Sequence, residues 1–282
     1  MSHQNLNDSY QRCQELAKTS NFYSGLRFLP SRKRRALAAV YAFMRECDDI
    51  SDRRGNESEK RLAFVQIRSK LDSAMAGDFE DDKTLPALQD TIQSFQIPLQ
   101  YFYQAIDGTE MDLTCTSYNT FEELYRYCYH VASVVGLICI HIFGFREQQA
   151  IEQAIDCGIA FQLTNILRDI REDLERNRIY LPREDLERFS YTRRDFERQV
   201  KDERFKALMA FEVDRAQSYY SKARPLVSLI DRDSRPAFTA MFESYWTLLQ
   251  RIKDDSYSVW NTRIRLNTTD KLRVALKALA AW

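Results

Sequence analysis

At 282 residues the chain is long enough to bury a sizeable core, as one large domain or two small ones. Lys plus Arg and Asp plus Glu each number 41, so the net charge is zero and no overall field favours nucleic acid or an anionic surface. With 44% hydrophobic residues, 29% charged ones, and only 7 Gly and 6 Pro, the composition suits long helices and excludes a disordered or turn-rich β chain.

In chain order, residues 6–18 pattern as a short amphipathic helix, and 19–30 break it with turn residues and aromatics. From Ser31 a long helix carries Leu37, Val40, Tyr41, Met44 and Cys47 at core spacing and reaches about Asp52. Its basic start (Arg32, Lys33, Arg34, Arg35) opposes the helix dipole and reads as a solvated turn. A polar turn at 53–58 leads to a helix over 59–75, the charged loop GDFEDDKT and a helix over 85–95. Pro98 opens the next helix, Asp107-Gly108 is expected to cap it, and 110–119 reads as irregular. Residues 121–143 form a helix whose second half, VASVVGLICIHIF, is apolar enough to be buried on most sides. The apolar run 131–145 is broken by Ser133 and His141 and is too short to span a bilayer.

A helix from 147 to about 174 is followed by an Arg-rich loop that ends at Leu181-Pro182. Short helices at 183–188 and 192–200, long ones at 203–230 and 235–256, and a last segment at 271–281 complete the chain. No strand pattern, repeat or linker stands out. The expectation is one all-α domain over residues 1–282. The six cysteines form no CxxC and the three histidines no HExxH, which argues against a zinc or redox site and for buried free thiols. A polar N-terminus without an apolar signal core completes the reading of a soluble, cytoplasmic chain.

Two polar stripes carry the chemistry. Gln162, Asn165, Asp169 and Asp173 recur at helical spacing, and Tyr41, Arg45, Asp48 and Asp52 repeat the pattern on an earlier helix. Carboxylates one turn apart repel unless a cation sits between them. A third DxxxD, Asp78–Asp82, has no apolar stripe around it and reads as solvated surface. Oxygen ligands without His or Cys suit a hard cation, Mg²⁺ above all, which shares its shell with water and phosphate oxygens. Arg45, Arg168 and Arg178 would neutralise the remaining phosphate charge through forked hydrogen bonds. Two acid-bearing walls among apolar helices imply a substrate with an anionic head and a greasy tail.

The stretches FLPSRKRRALAAVYAFMRECDDISD, AIDGTEMDL, YCYHVASVVG, QLTNILRDIREDLERNRIYLP and YSVWNTRIRLNTTDKL together resemble the squalene/phytoene synthase family over nearly the whole chain. The resemblance implies an all-α isoprenoid-synthase fold around a central apolar cavity. It implies Mg²⁺-dependent joining of two prenyl diphosphates through their C1 ends, with two or three Mg²⁺ ions. Asp48, Asp52, Asn165, Asp169 and Asp173 correspond to the metal ligands, and Arg45, Arg168 and Arg178 to diphosphate-binding arginines. Tyr41 and Tyr129 correspond to tyrosines at the reacting centre, and Thr19, Asn21, Phe22, Gln162, Tyr180 and Arg263 to substrate contacts. At 19–21 many relatives carry serines, which puts those phosphate contacts in question.

Within the family, the segments NFYSGLRFLP and RIRLNTTDKL look most like bacterial presqualene diphosphate synthases of hopanoid pathways. That branch joins two farnesyl diphosphates, needs no NADPH and hands its product to a downstream enzyme. The alternatives are phytoene synthase, which joins two geranylgeranyl diphosphates, squalene or dehydrosqualene synthase, and a non-catalytic assembly factor. No nucleic-acid partner and at most peripheral membrane association are expected, without a C-terminal anchor.

Overall fold

The computed structural model describes residues 3–18, 26–53, 55–114, 116–261 and 263–281. Thr19, Asn21 and Phe22 lie outside the described residues, as does Cys115. The elements are α1 (His3–Ala17), α2 (Ser31–Asp52), α3 (Glu57–Ala76), α4 (Leu85–Ser94), α5 (Leu99–Met111) and α6 (Phe121–Cys128). A π-helical turn (Tyr129–Ser133) joins α6 to α7 (Val134–Phe143), and α8 (Gln149–Arg168) runs into α9 (Ile170–Glu175). Then follow α10 (Arg183–Arg188), α11 (Arg193–Glu197), α12 (Glu203–Ala223), α13 (Leu226–Leu229), α14 (Arg235–Asp254) and α15 (Thr268–Leu279). Among the described residues the only β-type pairings are two isolated bridges, so the all-α expectation holds.

The ends of the helices follow from local chemistry. Asn56 with Glu59, Thr192 with Asp195, and Asn267 with Asp270 each form a reciprocal capping box, and Gly77 closes α3 in the left-handed region (φ 90°). Asp82, read from sequence as solvated, accepts from the Thr84 (2.8 Å) and Leu85 (3.3 Å) backbone amides and so starts α4. Pro225 separates α12 from α13, dividing what the periodicity made one helix.

The basic start of α2 is likewise no solvated turn. Lys33 Nζ donates to the Phe143 carbonyl (2.8 Å) and to Asp231 (3.2 Å) and Asp233 (2.6 Å). Arg32 and Arg35 lie over the rings of Phe95 and Tyr10. These charges tie α2 to the loop before α14 and to neighbouring aromatics.

Helix α8 sits at the centre and packs on α6, the π turn, α7, α12 and α14, while α2 packs on α1, α3, α4, α5 and α7. One continuous apolar core runs through both sets, from Phe43, Phe64 and Phe102 to Phe205, Tyr220 and Leu249. Residues 121–143 are long and apolar enough to cross a membrane by composition, yet 56% of the most apolar window is buried inside the fold. The described cysteines are free and buried, as the sequence implied.

The π turn, five residues long, was not readable from periodicity, and small residues hold it in place. A Cβ on Gly158 of α8 would lie 2.4 Å from Ser133 Cα, and one on Gly108 of α5 would lie 2.8 Å from the His130 carbonyl carbon. Ser133 Oγ donates to the Ile155 carbonyl at 2.7 Å. Gly108 therefore does not cap α5, which continues to Met111; it admits the π turn at close range. Gly158→Ala should lower stability by about 1–3 kcal/mol through overpacking. Urea unfolding followed by circular dichroism measures this, and an unchanged midpoint would contradict the close packing.

Candidate active site

The second polar stripe is not carried on one straight helix. Helix α8 ends at Arg168, Asp169 takes a non-helical conformation (φ −102°, ψ 16°), and Asp173 sits one turn further on α9. The backbone ladder is bridged there by Asp169 N–H to Asn165 O and Asp173 N–H to Asp169 O, each 2.9 Å. Asn165 Nδ2 donates to Gln162 Oε1 at 3.3 Å, which orients the amide. Its Oδ1 is buried and makes no hydrogen bond.

Asp169 is held by two arginines. Arg168 Nε donates to Oδ1 at 2.7 Å and its Nη2 to Oδ2, while Arg263 forks the same carboxylate from the C-terminal segment at 2.9 and 3.0 Å. Burial alone would raise its pKa, but the two guanidiniums hold the carboxyl below the usual range. Asp173 has no such fork. Burial and the Asp169 charge push it up to about 7, against Arg178 and Arg176.

The carboxylate that joins the two walls is one the sequence reading did not assign. Asp112, at the C-terminal end of α5, accepts from Tyr180 Oη at 3.1 Å, and its backbone carbonyl accepts from Arg178 Nη2 at 2.8 Å. Its acidity responds to burial, to Arg178, to hydrogen bonds from Tyr127 and Tyr180, and to Asp52 on α2. Asp112 in turn raises both Asp48 and Asp173. Asp48 rises to about 6 through burial first and Asp52 second, with Arg45 opposing. Its carboxylate stays accessible while protein surrounds most of it, as befits the wall of a cleft. The two acidic motifs therefore lie within electrostatic reach of each other through Asp112. The stretch AIDGTEMDL contained the signal, but spacing could not choose between Asp112 and Asp107, which pairs with Arg68 at 2.5 Å.

Other expected residues fall into place unevenly. Tyr180 stacks on Tyr127 (ring centroids 5.2 Å) and Arg178 Nη1 reaches its hydroxyl at 3.3 Å. Residues 178–184 are tied to the chain before α6: the Ile179, Arg183 and Glu184 amides donate to the carbonyls of Thr116, Tyr118 and Asn119 at 2.9–3.0 Å, and Tyr180 and Leu181 are buried. Arg45 pairs with Asp49 at 2.9 Å on an exposed face, and only its field reaches Asp48. Tyr41 is half-buried against the small cluster of Tyr10, Cys13 and Ala42. Tyr129 opens the π turn, half-buried against the main core. A groove of about 1040 Å³ lies between α14 and α15; of the residues on the carboxylates only Arg263 lines it.

Among the described residues, no three acidic, His or Cys side chains converge closely enough to hold a metal ion by themselves. The expected ligand cage is thus not gathered, because Asp169 is turned to its arginines and the remaining carboxylates repel one another. The donor set nevertheless fits a hard cation. The buried, unbonded Asn165 Oδ1 has no donor, and the raised Asp48 and Asp173 feel arginines only at a distance and form no ion pair among the described residues; a Mg²⁺ ion would supply the missing positive partner.

The two raised carboxyls make a testable statement about stability. Asp48 and Asp173 bind more protons folded than unfolded between about pH 4 and their folded values near 6 and 7. Stability of the metal-free protein should therefore fall as pH rises through that window. At pH 8, Asp173→Asn should stabilise the metal-free protein by roughly 1–2 kcal/mol and flatten the pH dependence. Thermal melts in EDTA measure both, and an Asn variant of unchanged or lower stability at pH 8 would refute the repulsion.

The squalene/phytoene synthase family model matches residues 17–270. The 15-cis-phytoene synthase of Synechocystis sp. is 39% identical over 94% of this chain and 82% of its own length. The phytoene synthase of Mycobacterium tuberculosis is 37% identical over 98% of this chain and 92% of its own. The crystal structure of a dehydrosqualene synthase in complex with ligand superposes with a TM-score of 0.89 at 27% identity, covering 98% of this chain and 97% of that one. With its two acidic walls and helical core, the chain belongs to the squalene/phytoene synthase family, prenyltransferases that condense prenyl diphosphates head to head.

Proposed function

We propose that this chain joins two geranylgeranyl diphosphates to phytoene. The farnesyl-based presqualene diphosphate reading drawn from the N- and C-terminal segments is the weaker one, since the relatives at 39% and 37% identity are phytoene synthases. The C15 reading keeps support from the likeness to a dehydrosqualene synthase at 27% identity. The observation that supports the reaction is Asp112 hydrogen-bonded by Tyr180 and Arg178, which line one small cavity with Asp173, while the field of Asp52 reaches Asp112 from α2.

Mg²⁺ held by Asp48, Asp52, Asn165, Asp169 and Asp173 would offset diphosphate charge and stabilise it as a leaving group. Arg168 and Arg263, forked on Asp169, would exchange that carboxylate for phosphate oxygens, and Arg178 is held by Asp112 and Tyr180. The C1–O bond of the donor breaks, the diphosphate leaves with the electron pair, and an allylic cation remains. The C2=C3 bond of the acceptor attacks that carbon, and loss of one proton closes a cyclopropane. Tyr129, on the π turn, would border this centre, as would Tyr41 although it packs toward α1, and the apolar helices would keep out water that quenches the cation. Departure of the second diphosphate, rearrangement and loss of a second proton yield a conjugated triene. No electrons are gained or lost overall, so NADPH is not consumed.

Incubation with radiolabelled geranylgeranyl or farnesyl diphosphate and Mg²⁺, with and without NADPH, decides the substrate. The expectation is phytoene from the C20 substrate at no less than about tenfold the C15 rate, a preference one pocket's depth can supply. Farnesyl diphosphate turned over faster, to presqualene diphosphate or dehydrosqualene, would replace this reading with the C15 one, and no diphosphate release from either would leave only a binding factor. Asp48→Asn and Asp169→Asn should each lower turnover by about 10²–10³-fold with unchanged helix content. Arg168→Lys should also impair turnover, because a point charge cannot reproduce a fork. EDTA should inactivate reversibly, and indifference to chelation would remove the metal from the mechanism.

A further inference from the structure

Three of the large apolar side chains that the described fold leaves exposed lie on one helix. Leu272 (61% exposed), Leu276 (59%) and Leu279 (54%) recur at i, i+4 and i+7 on α15 and form one stripe. The opposite side of the same helix is already used. Val274 and Ala278 are buried against Ala240 of α14, with Phe28 packed on the cluster. α15 therefore has two apolar faces, one facing the protein and one facing out.

Charge identifies what the outer face fits. At 100° per residue, Lys271 falls on one flank of the leucine stripe and Arg273 and Lys277 on the other. Asp270, the acidic residue of α15, is buried on Arg251 and does not oppose them. Lys271, Arg273 and the nearby Arg265 are exposed and make no ion pair among the described residues, whereas Lys277 is partly engaged by Glu243 at 2.7 Å. The acidic Asp254 and Asp255, exposed at the end of α14, line the groove beside Arg265, Arg273 and Lys277, whereas the Lys271 flank is outside that groove. Leucines flanked on both sides by Lys and Arg, on a helix whose one acidic residue is buried, match a lipid surface of negative charge rather than a second apolar protein face.

We propose that α15 is an interfacial docking helix that seats this protein on anionic lipid bilayers. The stripe enters the acyl boundary and Lys271, Arg273 and Arg265 meet the headgroup phosphates. The segment leading into α15 carries Arg263, which forks Asp169, so docking brings the acidic cleft close to the membrane from which a prenyl diphosphate would come. The inference draws on the proposed function only for why a bilayer is visited.

Flotation with vesicles of phosphatidylcholine containing about one-third phosphatidylglycerol, against pure phosphatidylcholine, tests it without substrate, so its failure is distinguishable from failure of turnover. The wild type should float with the anionic vesicles and be released by high salt. Leu272→Gln/Leu276→Gln should cut the bound fraction at least about tenfold, and Lys271→Gln/Arg273→Gln should abolish the preference for anionic lipid. Both should keep turnover of detergent-dispersed substrate. The single Leu279→Gln variant gives the same readout should the double variant melt early. Equal flotation of wild type and leucine variants, or equal binding to neutral and anionic vesicles, overturns the proposal. So does a wild-type dimer by light scattering that the leucine variants make monomeric while vesicle binding is unchanged.

Discussion

Like charge held at close range is the constraint that organises this molecule. Asp48, Asp52, Asp112, Asp169 and Asp173 come from three separate parts of the chain and still feel one another's fields. Left alone they would drive their helices apart. They stay because each sits at the edge of a helix whose other faces are buried in one apolar core, and burial of that area outweighs the local repulsion. Such an arrangement stores electrostatic strain that a bound cation would relieve.

The arginines set how that strain is distributed. Asp169 has two guanidiniums and remains an anion of lowered pKa, while Asp173, one turn away, lacks a fork and rises to about 7. Two carboxylates four residues apart thus differ in charge state because of partners that lie elsewhere in the chain. The break in the helix at Asp169 makes this possible, since it turns that carboxylate toward Arg263. Arg178 is fixed in the same economical way, by a backbone carbonyl and a tyrosine hydroxyl.

Rigidity behind the acidic walls comes from the π turn and its small neighbours. Gly108 and Gly158 let α5 and α8 approach Tyr129–Ser133 from two sides, and Ser133 is tied to α8 by a hydrogen bond. The 178–184 segment is pinned by backbone hydrogen bonds to 116–119, so the floor beneath Arg178 and Tyr180 is a fixed element. Its buried Ile179, Tyr180 and Leu181 add apolar packing to those bonds.

Sequence by itself determined the helical class, nearly every helix, the two acidic stripes and the family, because each depends on spacing within a single element or on contiguous motifs. Periodicity within a helix is local, and hydrophobic burial enforces it. Only the tertiary structure decided that Asp112 and not Asp107 joins the two walls, that Arg263 reaches Asp169 from 94 residues away, and that Arg45 turns to Asp49. It also decided that Gly108 serves a close helix crossing instead of ending a helix. These are contacts between elements. They are set by how ridges and small residues on different helices interlock, a geometry that no single stretch of chain encodes.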